Sequence, residues 1–130
     1  MANKRLAVIG SRDYPRLDLV REFVLEREKT TVIVSGGARG VDTAAVNAAI
    51  EAGLAHKVWE ADWDKFGKSA GYKRNKQIVD DVDGLVAFYD LKSKGTAHSI
   101  SLAVEKGIPY WVFGPDGEAV DIWETDSEKN

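Results

Sequence analysis

The stretch Thr31–Ala45, TVIVSGGARGVDTAA, restricts the folds open to this chain more than any other. Val32, Ile33 and Val34 form a short β-branched run suited to a strand buried on both faces. Ser35 ends that run. Gly36, Gly37 and Gly40 then supply a turn that can take positive φ and bring backbone close to a ligand, and an alanine-rich helix follows with Asp42 or Thr43 as its cap. The first N–H groups of a helix lack partners and its dipole favours negative charge, so this succession makes a seat for an anion. Arg39 stands beside it with a guanidinium suited to bidentate phosphate contact. The loop spells neither GxGxxG nor GxxxxGK(S/T), so neither the dinucleotide nor the NTPase motif applies.

The rest of the chain repeats the same alternation. Residues 4–9 read as a first strand with Gly10, Ser11 and Arg12 at its exit, followed by a helix through Leu19, Val20, Phe23 and Val24 to about Glu28. The helix after the glycine loop carries Val41, Ala45, Ala48, Ala49 and Ala52 on one side, with Gly53 as its C-terminal stop. A short strand is expected near 57–60. The stretch 61–71, ADWDKFGKSAG, reads as an irregular functional loop, after which Ser69 caps a helix with Tyr72, Asn75, Ile78, Val79 and Val82 on its inner face. Residues 84–89 form the fourth strand, Thr96 opens a helix with Ile100 and Ala103 inward, and 109–113 form the fifth strand. Five strands alternating with four helices predict one Rossmann-like, three-layer α/β domain over 1–113, with a mainly parallel five-stranded sheet. Residues 114–130 are expected as an acidic extension, partly packed or frayed, with Val120–Trp123 as an edge strand or a surface segment.

At 130 residues the chain suits a single domain, and no apolar run approaches the roughly 20 residues that cross a bilayer, so a cytoplasmic protein without membrane contact is expected. There is no cysteine for a disulfide or thiolate, and two histidines are too few for a histidine-rich zinc site; a carboxylate site for magnesium stays open. A formal charge of -3 argues against coating nucleic acid by bulk charge and leaves room for a local basic patch. In a parallel sheet the exits of strands one to four lie at one edge, which is where ligands bind. The candidate ligand-binding residues are therefore Gly10, Ser11 and Arg12; Ser35, Gly36, Gly37, Arg39, Gly40 and Thr43; Arg74 and Asn75; and Lys94, Gly95 and Thr96. Asp42 suits an N-cap as well as a ribose contact or acid–base work, and His98 a polar contact as well as catalysis. Tyr14, Trp63, Phe66 and Tyr72 suit either stacking on a base or packing.

Four segments in order, GSRDYPR at 10–16, VSGGARGVDTAA at 34–45, ADWDKFGKSAGYKRN at 61–75 and KSKGTAHSI at 92–100, resemble the YspA-type family of the SLOG superfamily, a Rossmann-like group. The superfamily also holds the Lonely Guy phosphoribohydrolases, the molybdenum-cofactor carriers and the DNA-processing protein DprA, whose SGxARGxDxxAH segment is similar to SGGARGVDTAA. The resemblance implies a nucleotide or nucleotide-derivative site at the sheet edge. Set against the GGxGTxxE motif of Lonely Guy enzymes, this chain keeps Gly95 and Thr96 but has Ser99 in place of the glutamate; Asp42, Asp64 and His98 are then the nearest acid–base candidates. Three functions are expected from this. The first is a sensor, carrier or sequestering protein for an NAD- or ADP-ribose-like ligand. The second is an N-glycoside or nucleotide hydrolase, and the third a DprA-like binder of single-stranded DNA. A homodimer is a further expectation, since the apolar helices permit one.

Overall fold

A computed structural model describes residues 4–120. Strand β1 (Lys4–Gly10) is followed by α1 (Leu17–Leu25), β2 (Thr31–Gly36), α2 (Val41–Ala52) and β3 (Ala55–Trp59). The short α3 (Trp63–Phe66) and a 3-10 turn (Gly67–Ser69) lead into α4 (Ala70–Asp80), β4 (Gly84–Phe88), α5 (Lys94–Lys106) and β5 (Tyr110–Phe113). The five strands are all parallel, in the order β3-β2-β1-β4-β5. Alternate residues of the central strand feed the two faces. Leu6 and Val8 pack with Val20, Val24, Val41 and Ala45 under α1 and α2, whereas Ala7 and Ile9 pack with Ile78, Val79, Ile100 and Ala103 under α4 and α5. This is the three-layer α/β architecture expected from the sequence.

Several local expectations need correction. The segment 61–71 is not simply irregular: Asp62 accepts a hydrogen bond from Lys65 N and caps the single turn of α3. Gly40, with φ of 80°, is the N-cap of α2 in place of Asp42 or Thr43; Asp42 accepts from Ala38 N at 3.4 Å, and the Thr43 hydroxyl donates to the Ala38 carbonyl. The Ser69 hydroxyl donates to Phe66 O and does not cap α4. Helix α5 begins at Lys94, two residues before Thr96, because Ser93 accepts from Thr96 N and serves as the cap. Tyr14 is core: its ring meets Phe88 edge-on at 5.6 Å and its hydroxyl donates to Gly114 O. Beyond β5, Ala119 pairs antiparallel with Phe113 and Val120 N donates to Val112 O; the expected segment Asp121–Trp123 lies outside the described residues. No helix among the described residues is long and apolar enough to cross a membrane.

The chain goes from β1 outward through β2 and β3, then returns to place β4 on the other side of β1. Diverging connections leave a crevice at the carboxyl ends of β1 and β4, where Gly10 and Phe88 are register partners. A Cβ on Gly10 would run into the Phe88 carbonyl oxygen and the Val41 side chain, so this residue sets the approach of β1, β4 and α2. The absence of a side chain at Gly95 has no such packing role, since no atom lies within 4 Å of the place its Cβ would occupy. Gly10→Ala should therefore cost about 1–3 kcal/mol or more by overpacking. Gly95→Ala should leave stability unchanged or raise it by less than about 1 kcal/mol. Urea denaturation of the two variants measures the contrast, and equal midpoints would show that the β1–β4–α2 junction yields without cost.

Candidate nucleic-acid interface

A cavity of about 590 Å³ opens at this crevice, and its wall comes from all four exits: Gly10, Arg12 and Asp13 at the end of β1, Ala38 and Asp42 after β2, residues from Trp63 to Asn75 after β3 and residues from Asp90 to Ser99 after β4. Its cations are Arg12, Lys68, Arg74 and Lys92. None of them forms an ion pair within 4 Å among the described residues.

The polar frame is built from short side chains. Ser11, buried at the end of β1, accepts from Asp90 N at 3.1 Å and lies 3.3 Å from the Thr96 hydroxyl, which in turn donates to Ser93. The β1 exit is thereby tied to the N-terminus of α5. The Asp90 carboxylate accepts from the amides of Lys92 and Ser93; burial opposes its ionisation, but those two donors hold its pKa below the ordinary value. Leu91, between Asp90 and Lys92, takes φ of 70°, the only non-glycine residue with positive φ among those described, so the loop that shapes this wall is strained.

Asp42 and Arg74 form the electrostatic centre. A Cβ on Gly36 would lie 2.5 Å from Arg74 Nη1 and 2.8 Å from Asp42 Oδ2, so the glycine leaves room for both groups at the end of β2. Asp42 is 5% exposed, and its Oδ1 has no hydrogen-bond partner. Burial pushes the carboxyl pKa up to about 6 against the lowering influence of Arg74. Burial also lowers the Arg74 pKa, with Asp42 opposing. Arg74 Nε donates to Asn75 Oδ1, which leaves Asn75 Nδ2 to reach Gly95 O and His98 Nδ1, each at 3.3 Å. With Nδ1 accepting, His98 is neutral and carries its proton on Nε2; burial lowers its pKa accordingly.

Several candidate residues from the sequence meet at the cavity: Gly10, Arg12, Asp42, Arg74, Asn75, Gly95 and Thr96 line it. Ser11 supports it from beneath, while Ser35 donates to Val8 O inside the sheet. Gly36 makes room for Arg74 and Asp42, and a side chain on Gly40 would strike the Arg12 backbone. Gly37, Thr43 and Lys94 are exposed and stand outside the lining. Arg39 also points elsewhere, to Asp13 at 3.4 Å, where it offsets a carboxylate of the rim. Of the acid–base candidates only Asp42 lines the cavity; Asp64 is exposed on α3 and His98 is bound to Asn75. Sequence reasoning did not single out Asp90, which is in the lining; the run of polar residues after β4 was the available signal. Ser99, which stands where the Lonely Guy motif has its glutamate, lines the cavity as well. Among the described residues no three His, Asp or Glu side chains gather as a metal site.

The unfolded chain ionises Asp42 near pH 3.8 and the folded chain near 6, so this residue's contribution to stability is greatest below pH 4 and declines as pH rises through about 6. The loss is on the order of 3 kcal/mol. Asp42→Asn should gain on the wild type across that window, and chemical denaturation at pH 4, 5, 6 and 7 measures the difference; a constant gap would refute the burial of a charged carboxylate.

Residues 1–98 match the family described as DNA recombination-mediator protein A. The gene 61 protein of Mycobacterium phage D29 is 37% identical over 121 residues, which cover 85% of this chain and 97% of the phage protein. DNA processing protein A (DprA) from Streptococcus pneumoniae superposes with a TM-score of 0.72 at 24% identity, over 85% of this chain and 50% of that protein, so the present chain spans only half of its length. DNA processing protein A from Helicobacter pylori, whose structure addresses its single-stranded DNA binding mode, superposes with a TM-score of 0.60 at 25% identity, over 98% of this chain and 73% of that protein. These matches overturn the expectation of a nucleotide sensor, carrier or hydrolase and favour the DNA-binding alternative; they bear out the DprA-like kinship and do not reach the YspA-type family specifically. The chain belongs to the DNA recombination-mediator protein A family.

Proposed function

We propose that this chain binds single-stranded DNA along the carboxyl edge of its sheet, with phosphates seated between the N-termini of α2 and α5. The observation that carries the reading is the cavity itself, which presents Arg12, Lys68, Arg74 and Lys92 without ion-pair partners. The carboxylates beside them are largely offset. Asp13 faces Arg39, Asp90 accepts two amides, and Asp42 lies beside Arg74 and accepts from Ala38 N. A net charge of -3 is compatible with this, because the attraction is local. The single-stranded DNA binding of the Helicobacter pylori relative supports the same ligand.

Fluorescence anisotropy with a labelled oligothymidylate tests the reading. Affinity should fall with salt, and Arg12→Gln and Lys92→Gln should each reduce the log–log slope by about 0.7. Gly95→Ala should weaken binding roughly tenfold by keeping phosphate from the α5 amides, a loss of about 1.4 kcal/mol. No binding at 50 mM salt, or a slope untouched by both charge changes, would overturn the proposal.

A further inference from the structure

Of the eight large apolar side chains exposed among the described residues, three fall within ten positions: Trp63 at 52%, Phe66 at 39% and Tyr72 at 48%. Exposing three aromatic rings in one short segment gives up the burial that ordinarily stabilises them, and these three are arranged in two different ways.

Trp63 and Tyr72 line the cavity that holds the free cations. The Trp63 indole rests against the backbone of α4, its ring edge 3.4 Å from where a Cβ on Gly71 would stand. The Tyr72 ring lies 4.4 Å from the His98 ring, and His98 is fixed through Asn75 to the carbonyl of Gly95. Both rings are therefore held by neighbours on α4 and α5 while about half of each faces solvent. Phe66 is different. Lys65 Nζ lies 5.2 Å and Lys73 Nζ 4.9 Å from its ring centroid, so its surface is taken by two ammonium groups. Neither lysine forms an ion pair among the described residues. Two like charges drawn to one ring repel each other and are relieved by an anion placed beside them.

We infer that Trp63 and Tyr72 are a stacking platform for unpaired bases, and that Phe66 is a pedestal presenting Lys65 and Lys73 to the phosphates of the same strand as it leaves the cavity. This rests on the proposed binding of single-stranded DNA and adds where the bases go. A double helix hides its base faces within its own stack, so the platform selects single strands, and it is indifferent to sequence because every base has a π-face. Phosphate contacts alone, at Arg12 and Lys92, give no such selection.

Oligothymidylate and an abasic strand of equal length and charge separate the two contributions. Wild-type protein should bind the abasic strand roughly five- to a hundredfold more weakly than the thymidylate, with the same salt slope. Trp63→Ala and Tyr72→Ala should bring thymidylate binding down towards the abasic value without changing that slope, and Tyr72→Phe should keep the affinity. Lys65→Gln and Lys73→Gln should lower the slope by about 0.7 each and leave the ratio between the two strands intact. Phe66→Ala should resemble the lysine changes. Equal wild-type affinity for the two strands would overturn the platform while leaving DNA binding in place, and it needs no variant to fold. Failure of the wild type to bind either strand would remove the underlying reading and the platform with it.

Discussion

The approach of β1 to β4 governs the other features of this molecule. At the carboxyl end of the sheet Gly10 stands in register with Phe88, and Ser11 N donates to the Phe88 carbonyl, with the Val41 side chain of α2 closing the third side. The same junction turns the chain direction around, since the connections from β1 and β4 leave toward opposite faces. A crevice between diverging connections follows from the topology, and the hydroxyl chain Ser11, Thr96 and Ser93 fixes its floor. The cavity is therefore a consequence of strand order before it is a consequence of any single side chain.

Electrostatics at that floor run against stability. Asp42 is enclosed with one oxygen unpartnered, Arg74 is half-enclosed beside it without a close ion pair, and Leu91 holds a backbone conformation that glycine would take more easily. Unfavourable groups clustered at one end of a fold whose sheet is otherwise apolar are characteristic of a place kept for interaction. The neutral His98 has a quieter part. Its ring accepts from Asn75 and abuts Tyr72, which links the order of α4 to the order of α5.

Much of this was legible in the sequence, for physical reasons. Apolar runs ending in glycine or serine placed the exits of β1 and β2, and alanine or alternating apolar positions gave the long helices, because burial on both faces of a parallel sheet leaves a strong pattern. The pattern weakens where burial does. Strand β3 is largely exposed at the sheet edge and lies at Ala55–Trp59, about two residues before its expected place, and the one-turn α3 is too short to show a period. Arginine direction was legible only in part: Arg74, expected at this edge, lines the cavity from α4, whereas Arg39 turns to Asp13 of a different loop, which its neighbours in sequence do not foretell. Function was the least legible. Glycine loops at helix N-termini announce an anion, but a mononucleotide and a DNA strand present the same phosphate, and it is kinship with DNA-processing proteins that favours the strand.

The central position of β1 has a consequence for how the cavity comes into being. Strand β1 gains its second neighbour only after β4 has been made, and Ser11 and Thr96, whose hydroxyls meet on the floor, are 85 positions apart. Loop closure over such distances is slow, and the early chain exposes one long edge of β1 in the meantime. An amino-terminal fragment ending before β4 would hold three strands, the glycine loop and the helix after it, yet no crevice. The cavity thus arrives late and all at once, with the closing of the sheet.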